Sequence, residues 1–296
     1  MTNSNTHELV VNWHLTEHCN FSCAYCFAKW DKEKPKELIH DMDKCKKLLE
    51  QIKLLPKIIN ESYNTNFNKI RLNLVGGEPF IYKKKIKEIV LFARELGFSI
   101  SAITNGSKFD YELEEFIAKN FSMLGISIDS LDNDCNRNIG RVNNIKIPLD
   151  IDCIKDSINN IRRINPNINI KLNTVVSSEN YLEDFTCFIK SIHPSKWKVL
   201  KVLGVVTNKF NIDDEKFRMF LNNHKELSSI ISYENNELMI ESYIMIDPLG
   251  RFFQNKLGNY GYSYSNSIIE TGINSSFKQI SFDLNQFELR YKHRIL

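Results

Sequence analysis

Three cysteines near the start of the chain, Cys19, Cys23 and Cys26, have the spacing CxxxCxxC. Thiolate is a soft ligand, so this group suits an iron–sulfur cluster or a zinc ion. A fully ligated four-iron cluster takes four thiolates, and a structural zinc ion also takes four ligands. The nearest further cysteine, Cys45, lies in a helical pattern without a paired Cys or His, and we interpret it as a packing residue. Three thiolates alone would leave one metal position open for chemistry.

Two short motifs follow predicted strands and could approach a ligand. The motif Gly76-Gly77-Glu78-Pro79 joins two glycines, which allow close backbone approach, to a carboxylate that could accept from an ammonium group. The turn 104–107 places Asn105 at the end of the next predicted strand. Each motif alone is a common strand-to-helix turn, so neither identifies a site by itself.

Polar groups also follow a fourth predicted strand. Ser127 and Asp129 lie at its end, and Arg141 comes shortly after. A guanidinium can bind a carboxylate or a phosphate through two parallel hydrogen bonds. The alternatives are that Asp129 caps a helix and that Arg141 is an ordinary surface residue.

Cations recur on the predicted strands, at Arg71, Lys171 and Lys198. A buried lysine is costly unless it is paired. Several cations around one cavity therefore favour a polyanionic ligand, and a triphosphate would satisfy all three.

Strand patterns and helical patterns alternate along most of the chain. The predicted strands are 9–15, 69–75, 98–104, 122–129, 167–176 and 197–206, and the predicted helices are 43–62 (with a possible break at Pro56), 84–96, 111–119, 151–164 and 181–192. This alternation indicates βαβ units and a parallel sheet. It predicts an α/β fold, a partial (βα)6 barrel, whose catalytic residues gather at the C-terminal ends of the strands.

Several predicted strands alternate polar and apolar residues, which places Asn12 and His14 on one face of the first and Arg71 and Asn73 on one face of the second. Side chains alternate between the two faces of a strand. Because helices must cover the apolar face, we expect the polar face to line the barrel lumen. An antiparallel sheet with a solvated face is the alternative, and the intervening helices argue against it.

The chain has 296 residues, of which 42% are hydrophobic, enough for one large core with a small extension. We predict a disordered tail over 1–8, a barrel over 9–206 and a C-terminal extension over 207–296 that caps the substrate pocket and contains a hairpin, 241–246 with 251–255. The charges nearly cancel, 39 Lys and Arg against 36 Asp and Glu, so no basic field indicates nucleic acid. No apolar run reaches the roughly 20 residues of a membrane span. Seven cysteines, an odd number, favour a reducing compartment, and we expect a cytoplasmic monomer.

Taken together, the motifs resemble those of viperin-like radical S-adenosylmethionine (SAM) enzymes, especially the prokaryotic homologues. CxxxCxxC and the glycine motif mark only the superfamily, whereas the Asn-x-His lead-in, the Lys171 strand, the Trp197-Lys198 pair and the Ser242-Tyr243 segment are more specific. The matching stretches are 12–20, 76–80, 104–107, 126–130, 139–141, 171–176, 194–199 and 242–247.

The resemblance implies a radical SAM barrel with a [4Fe–4S] cluster on three cysteines and SAM on the open iron. It implies conversion of a ribonucleoside triphosphate (CTP, UTP or GTP) to its 3′-deoxy-3′,4′-didehydro form, a chain terminator in antiviral defence. A 5′-deoxyadenosyl radical would take hydrogen from C4′ of the ribose. An electron donor of the flavodoxin or ferredoxin type is implied as a partner, and neither nucleic acid nor a membrane is.

The resemblance also assigns site residues by position. The cluster ligands would be Cys19, Cys23 and Cys26; the residues around SAM would be Tyr25, Gly77, Glu78, Asn105, Ser127, Asp129 and Arg141; the substrate contacts would be Asn12, Arg71, Lys171 and Lys198; and Tyr243 would lie near the reacting ribose and could quench the substrate radical.

Two alternatives stay open at this point. One is another radical SAM enzyme with a different substrate, although the lack of cysteines after Cys187 argues against a peptide-modifying enzyme with extra clusters. The other is a zinc-binding interaction module. The segment 255–267 aligns poorly with animal relatives, so the preferred base is not predicted.

Overall fold

The computed structural model describes residues 8–26, 36–204, 207–234, 241–255 and 262–289. These fall into two compact units. The first comprises 8–18, 36–102, 241–255 and 262–289, and the second comprises 19–26, 103–204 and 207–234. The predicted tail lies outside the described residues except for Glu8. The predicted division at 206 stays a prediction.

The described part of the chain contains ten strands: β1 Glu8–His14, β2 Lys69–Val75, β3 Ser99–Thr104, β4 Met123–Ser127, β5 Asn169–Val176, β6 Lys196–Lys201, β7 Ile231–Glu234, β8 Ile244–Ile246, β9 Arg251–Asn255 and β10 Tyr262–Ser267. Its α-helices are α1 Met42–Ile52, α2 Leu55–Tyr63, α3 Lys83–Glu95, α4 Tyr111–Asn120, α5 Asn133–Asn138, α6 Ile151–Ile164, α7 Thr186–Ile192, α8 Asp214–Asn223, α9 Ile268–Thr271, α10 Ile273–Phe277 and α11 Leu284–Leu289. None of the described helices is long and apolar enough to cross a bilayer.

The sheet of the first unit is built on parallel pairing of β1 with β2 and of β2 with β3. On the other side of β1 lies β8, also parallel, with Asn12 opposite Met245. The antiparallel strands β9 and β10 continue the sheet beyond β8. Helices α1, α2 and α3 bury apolar faces that include Leu48, Ile59 and Ile89.

The second unit contains four parallel strands in the order β4, β5, β6, β7. Their register places Lys171 opposite Gly125 and Asn173 opposite Lys198. On the apolar side, the indole of Trp197 is fully buried and donates to the Thr174 hydroxyl over 2.9 Å. The parallel arrangement that the alternating elements predict is therefore confirmed within each unit.

Most predicted elements are confirmed within two residues of their ends, and the predicted 241–255 hairpin forms between β8 and β9. The helix predicted over 43–62 is two helices, with Pro56 at the second position of α2, where a missing N–H costs least. The helix predicted over 181–192 begins only at Thr186. Its first turn is missing because two N–H groups bond side chains and not helix carbonyls: Phe185 donates to Nε2 of His224 over 2.9 Å, and Thr186 donates to Oδ1 of Asp184 over 2.8 Å.

Candidate active site

The cysteine loop of the second unit lies against the segment that follows α5. The N–H of Ala24 donates to the carbonyl of Ile139 over 3.0 Å. Gly140 has a φ of +73°, and a Cβ there would lie 2.6 Å from the carbonyl oxygen of Ser22. Only glycine combines this backbone conformation with so close an approach. Gly140 therefore fixes the path of the cysteine loop.

Nitrogen donors point at two of the three sulfurs. The backbone N–H of Phe21 and the amide of Asn105 donate to Sγ of Cys19 over 3.4 and 3.8 Å. The guanidinium of Arg141 lies 3.8 Å from Sγ of Cys23. Such donors stabilise thiolates and tune the clusters that thiolates hold.

The thiol of Cys23 lies in surroundings that disfavour its ionisation. Burial raises the pKa of its thiol to about 12, while Arg141 acts in the opposite direction and the neighbouring Cys26 and Cys19 raise it further. The three thiols are therefore electrostatic neighbours in a site that disfavours bare thiolates. A bound metal cluster would supply the missing positive charge.

The residues fit a cluster better than a single ion. Among the residues that the structure describes, no group of three or more His, Cys, Asp and Glu side chains is placed to hold one metal ion. A four-iron cube is wider than one ion, so its cysteines stand further apart than the ligands of a zinc ion. The N–H donors at Cys19 and Cys23 are of the kind that bond the sulfurs of cluster ligands.

A buried carboxylate organises the surroundings of the cysteine loop in the second unit. Asp129 accepts from the Tyr25 hydroxyl over 2.8 Å, from Arg141 over 2.8 Å and from the Val175 N–H over 2.9 Å. Arg141 also donates to the carbonyl of Ser127. Burial works against the charge of Arg141, but Asp129 together with Cys23, Tyr25 and Cys19 acts in the opposite direction, and the pKa of the guanidinium is raised. Asp129 is not the helix cap considered above, because Asp132 caps α5.

Asn105 ties the turn after β3 to the cysteine loop. Its amide donates to Oδ1 of Asn20 over 3.1 Å, and Asn20 donates to the Ser107 hydroxyl over 2.8 Å. The N–H of Ser107 returns to Oδ1 of Asn105 over 2.9 Å. This closed ring of bonds holds the amide of Asn105 toward Cys19.

In the first unit, the glycine motif lies against the segment 16–18. The N–H groups of Gly77 and Glu78 donate to the carbonyls of Thr16 and His18 over 2.6 and 2.8 Å. Glu78 is fully buried, and its carboxylate accepts from the Phe80 N–H over 3.0 Å. The motif thus packs on the residues that lead directly into Cys19.

The polar face of the first unit carries a chain of side-chain hydrogen bonds across three strands. Ser101 donates to Asn73 over 2.8 Å, and Asn73 donates to Asn12 over 2.7 Å. Arg71 pairs with Glu8, with 2.9 Å between Nε and Oε2. Tyr243 precedes β8 and is half-buried, and its carbonyl accepts from Gln254 over 3.4 Å.

The polar face of the second unit carries Lys171, Asn173 and Lys198. Lys198 forms a buried ion pair with Glu234 on β7, with 2.7 Å between Nζ and Oε1. Asn173 is 6% exposed, and neither polar atom of its amide has a hydrogen-bond partner in the described part of the chain. Register places it between Ser127 and Lys198. Buried side-chain amides normally form hydrogen bonds, so the amide of Asn173 is a candidate to bond a ligand.

The structure therefore distributes the predicted site residues over the two units. In the second unit it brings Cys23, Tyr25, Ser127, Asp129 and Arg141 into one network, joins Asn105 to Cys19, and places Lys171 and Lys198 on one face of neighbouring strands. The first unit holds Asn12, Arg71, Gly77, Glu78 and Tyr243. Arg71 and Lys198, which are proposed to bind a triphosphate, each pair with a carboxylate.

Sequence reasoning missed several residues of this arrangement. Asn173 falls on the polar face of β5 by simple alternation, so its position was available from the pattern, although its lack of a partner was not. Glu234 could not be found, because β7 is only four residues long and no strand was predicted there. The role of Asn20 depends on its hydrogen bonds with the turn after β3, and no local pattern predicts that contact.

Comparison with known proteins supplies independent findings. The family model described as "Radical SAM superfamily" matches residues 13–190. A protein of Psychrobacter lutiphocae described as an S-adenosylmethionine-dependent nucleotide dehydratase is 49% identical over 98% of this chain and 96% of its own length. One of Pseudoalteromonas ulvae with the same description is 35% identical over 96% and 93%. The solved structure of anSMEcpe with bound AdoMet and a peptide covers 96% of this chain and 84% of its own, with a TM-score of 0.69 at 13% identity, a likeness of fold alone.

Proposed function

The chain belongs to the radical SAM superfamily and, within it, to the S-adenosylmethionine-dependent nucleotide dehydratases, and on that basis we propose that it dehydrates the ribose of a ribonucleoside triphosphate. Membership confirms the predicted resemblance, the predicted fold class, the [4Fe–4S] cluster with SAM as cofactors, and a lyase-type activity. It also argues against the zinc-binding module.

The proposed substrate is CTP, UTP or GTP, and the proposed product is its 3′-deoxy-3′,4′-didehydro analogue. When bound, the cluster and SAM supply a 5′-deoxyadenosyl radical, which can take the hydrogen atom from C4′. Departure of the 3′-hydroxyl as water, with one further electron and a proton, balances the conversion. The observation that carries this proposal is the near full-length similarity to nucleotide dehydratases.

The lysines on the polar face of the second unit support a triphosphate substrate. Lys171 and Lys198 lie on neighbouring strands of that face, and charge-assisted bonds to phosphate are the strong ones. Because Lys198 is paired with Glu234, phosphate would have to share or replace that carboxylate. We propose that the amide of Asn173, which lies on the same face as Lys171 and Lys198, also donates to the nucleotide. In the first unit, Arg71 and Asn12 are proposed to contact the nucleotide.

Two roles are proposed for the residues around SAM. Gly77, Glu78 and Asn105 would contact it directly. Tyr25 and Arg141 both donate to Asp129, and Arg141 also donates to the carbonyl of Ser127, which supports a role in positioning the cysteine loop. Tyr243 is proposed to quench the substrate radical by supplying the one further electron and the proton with which the 3′-hydroxyl leaves as water.

A nucleotide without a 3′-hydroxyl cannot be extended by a polymerase, which supports a role as a chain terminator in antiviral defence. The reaction requires nucleoside triphosphates and a reductant, both of which the cytoplasm supplies. We propose that the enzyme acts there as a monomer.

Anaerobic incubation of the reconstituted enzyme with dithionite, SAM and each of the four ribonucleoside triphosphates separately tests the proposal. Mass spectrometry should show 5′-deoxyadenosine together with a nucleotide lighter by one water. The Cys23→Ala variant should form neither, because it lacks a cluster ligand. If no triphosphate stimulates 5′-deoxyadenosine formation while the wild-type cluster is intact, the enzyme has a different substrate.

A further inference from the structure

A basic surface lies at the start of α3, directly after the glycine motif. Lys83, Lys84 and Lys85 occupy the first turn of the helix, and Lys87 follows. Lys84 is exposed and the other three are half-buried. We refer to these four residues as the α3 lysine surface.

The placement of these lysines is unfavourable for the helix itself. The other described helices of ten or more residues, α1, α4, α6 and α8, each begin with an aspartate cap and an acidic first turn. Helix α3 has neither, since its cap residue is Tyr82 and its first turn contains no acid. The N-terminus of a helix carries a partial positive charge, so lysine side chains placed there are repelled by it. Proteins break such local rules at functional sites, so this placement of charge is consistent with a functional surface.

An aromatic cluster connects this surface to the segment before the cysteines. The Tyr82 hydroxyl lies 2.6 Å from Nδ1 of His18. Nζ of Lys85 lies 3.0 Å from Nδ1 of His40 and 5.7 Å from the centre of the Tyr82 ring. His18 is exposed and so is Cys19, which follows it by one peptide bond. A protein bound to the α3 lysine surface would therefore contact the residues that lead into the first cluster ligand.

Radical SAM enzymes need a reductant, and that requirement follows from the family and not from the choice of nucleotide. We propose that the α3 lysine surface is the docking site of an acidic one-electron carrier protein, which is oxidised by one electron as the cluster is reduced by one. Complementary charge is what steers such transient encounters. Nucleic acid or an anionic membrane would also attract lysines, but the adjacency to Cys19 and the near-neutral whole chain, with 39 basic and 36 acidic residues, favour the carrier.

The test compares two reductants on the reconstituted enzyme. Reduction of the cluster is followed by the loss of its visible absorbance in stopped flow, with flavodoxin hydroquinone or with dithionite. The Lys84→Glu/Lys85→Glu variant should lower the second-order rate constant with flavodoxin about tenfold at low ionic strength. Added salt should reduce the difference, because screening weakens steering. The rate with dithionite should be unchanged. Calorimetry should show weaker flavodoxin binding by the same variant.

The matched control is Lys47→Glu/Lys53→Glu, which makes the same charge change at two exposed lysines of the same unit. It should leave the flavodoxin rate within about twofold, as expected for charges away from a docking site. An unchanged flavodoxin rate in the α3 variant would overturn the proposal, and so would equal slowing with both reductants. If the α3 variant instead lost binding to an RNA oligonucleotide or to anionic vesicles while keeping its flavodoxin rate, the surface would belong to that other ligand.

Discussion

The carboxylate of Asp129 holds the cysteine loop in place through its hydrogen bonds. It is buried and takes donors from Tyr25, Arg141 and Val175. Because Arg141 also donates to Sγ of Cys23, one ion pair supports both the loop and a ligand sulfur. Loss of either charge would leave the other buried and uncompensated, which costs far more than the pair itself contributes.

Asp129→Asn is therefore expected to lower the free energy of unfolding by about 3–5 kcal/mol, the cost of breaking a buried pair from one side. Tyr25→Phe removes only one hydrogen bond to the carboxylate and should cost about 2 kcal/mol. Urea unfolding measures both. Asp214→Asn is the matched control, since Asp214 accepts from Lys201 over 2.7 Å but is 67% exposed. It should change stability little. Equal effects at Asp129 and Asp214 would contradict the argument.

A second prediction at this scale concerns Lys171. Lys171→Ala should weaken binding of the nucleotide by about 1.5–3 kcal/mol, the value of a charge-assisted hydrogen bond, while the cluster absorbance stays unchanged. Lys171→Arg should retain much of the affinity because it keeps the charge. The measurement is anaerobic calorimetry with the triphosphate that is turned over.

Lys190→Ala provides the comparison, because Lys190 pairs with Glu226 on the surface of the same unit. It should bind nucleotide as the wild type does. Equal affinity in Lys171→Ala and Lys190→Ala would remove Lys171 from the substrate site.

The partners of single residues could be predicted only in part. Alternation along β2 and β5 correctly places Arg71 and Lys171 on polar faces. The same alternation says nothing about which side chain faces each cation, because that depends on strand order and register. Glu8 and Glu234 were therefore not identified as partners of Arg71 and Lys198.

At the scale of elements, the turn after β2 shows how tightly the glycine motif is packed. A Cβ on Gly77 would overlap the carbonyl of His18 and lie 2.6 Å from that of Glu17. Gly77→Ala should therefore push segment 16–18 away and lower the free energy of unfolding by about 3 kcal/mol. It should also weaken SAM binding, if the motif binds SAM as proposed. Thermal unfolding and equilibrium dialysis measure the two effects.

Gly97→Ala separates packing from backbone strain. Gly97 has a φ of +89°, and nothing lies within 4 Å of a Cβ built there. Only the strain of a left-handed alanine remains, which costs about 1 kcal/mol. If Gly97→Ala destabilised the protein as much as Gly77→Ala, the close approach to His18 would not be what Gly77 provides.

Elements were predictable where a single local signal decides them. The helix over Ile151–Ile164 was predicted to the residue, since Asp150 caps it and apolar residues recur on one face. The start of α7 was misplaced because the N–H of Phe185 donates to Nε2 of His224 over 2.9 Å, not to a helix carbonyl. That competition depends on His224, at the end of α8, and cannot be read from 181–192 alone.

At the scale of the whole molecule, the sequence pattern did not predict which strand the C-terminal segment pairs with. Strand β8 pairs in parallel with β1, so that the amide of Asn12 donates to the carbonyl of Ile244, 232 residues away in sequence. The sequence pattern predicted the local hairpin of β8 and β9 but not its neighbour. Pairing across such a separation depends on loop closure and on the other strands, neither of which leaves a local signal.

The pH dependence of stability tests whether the sheet of the first unit buries the imidazole of His14 in its neutral form. His14, on β1, is 4% exposed and packs edge-on against Phe253, with ring centres 5.0 Å apart. Burial lowers the pKa of its imidazole from 6.5 to about 3. Unfolding exposes the imidazole to water. Below pH 6.5 it is therefore protonated in the unfolded chain but stays neutral in the folded chain. This contribution to stability is complete above pH 6.5 and is lost as the pH falls toward 3.

Between about pH 7.5 and pH 5 the loss from His14 should be about 2 kcal/mol, by the linkage of proton binding to unfolding. His14→Gln removes the titrating group, so its stability should decline less than that of the wild type over this range. The difference between the two urea-unfolding profiles isolates His14 from the carboxylates, which titrate in both proteins. Parallel profiles would mean that the imidazole is protonated in the folded sheet, and the polar face around β1 would then have to hold a charge.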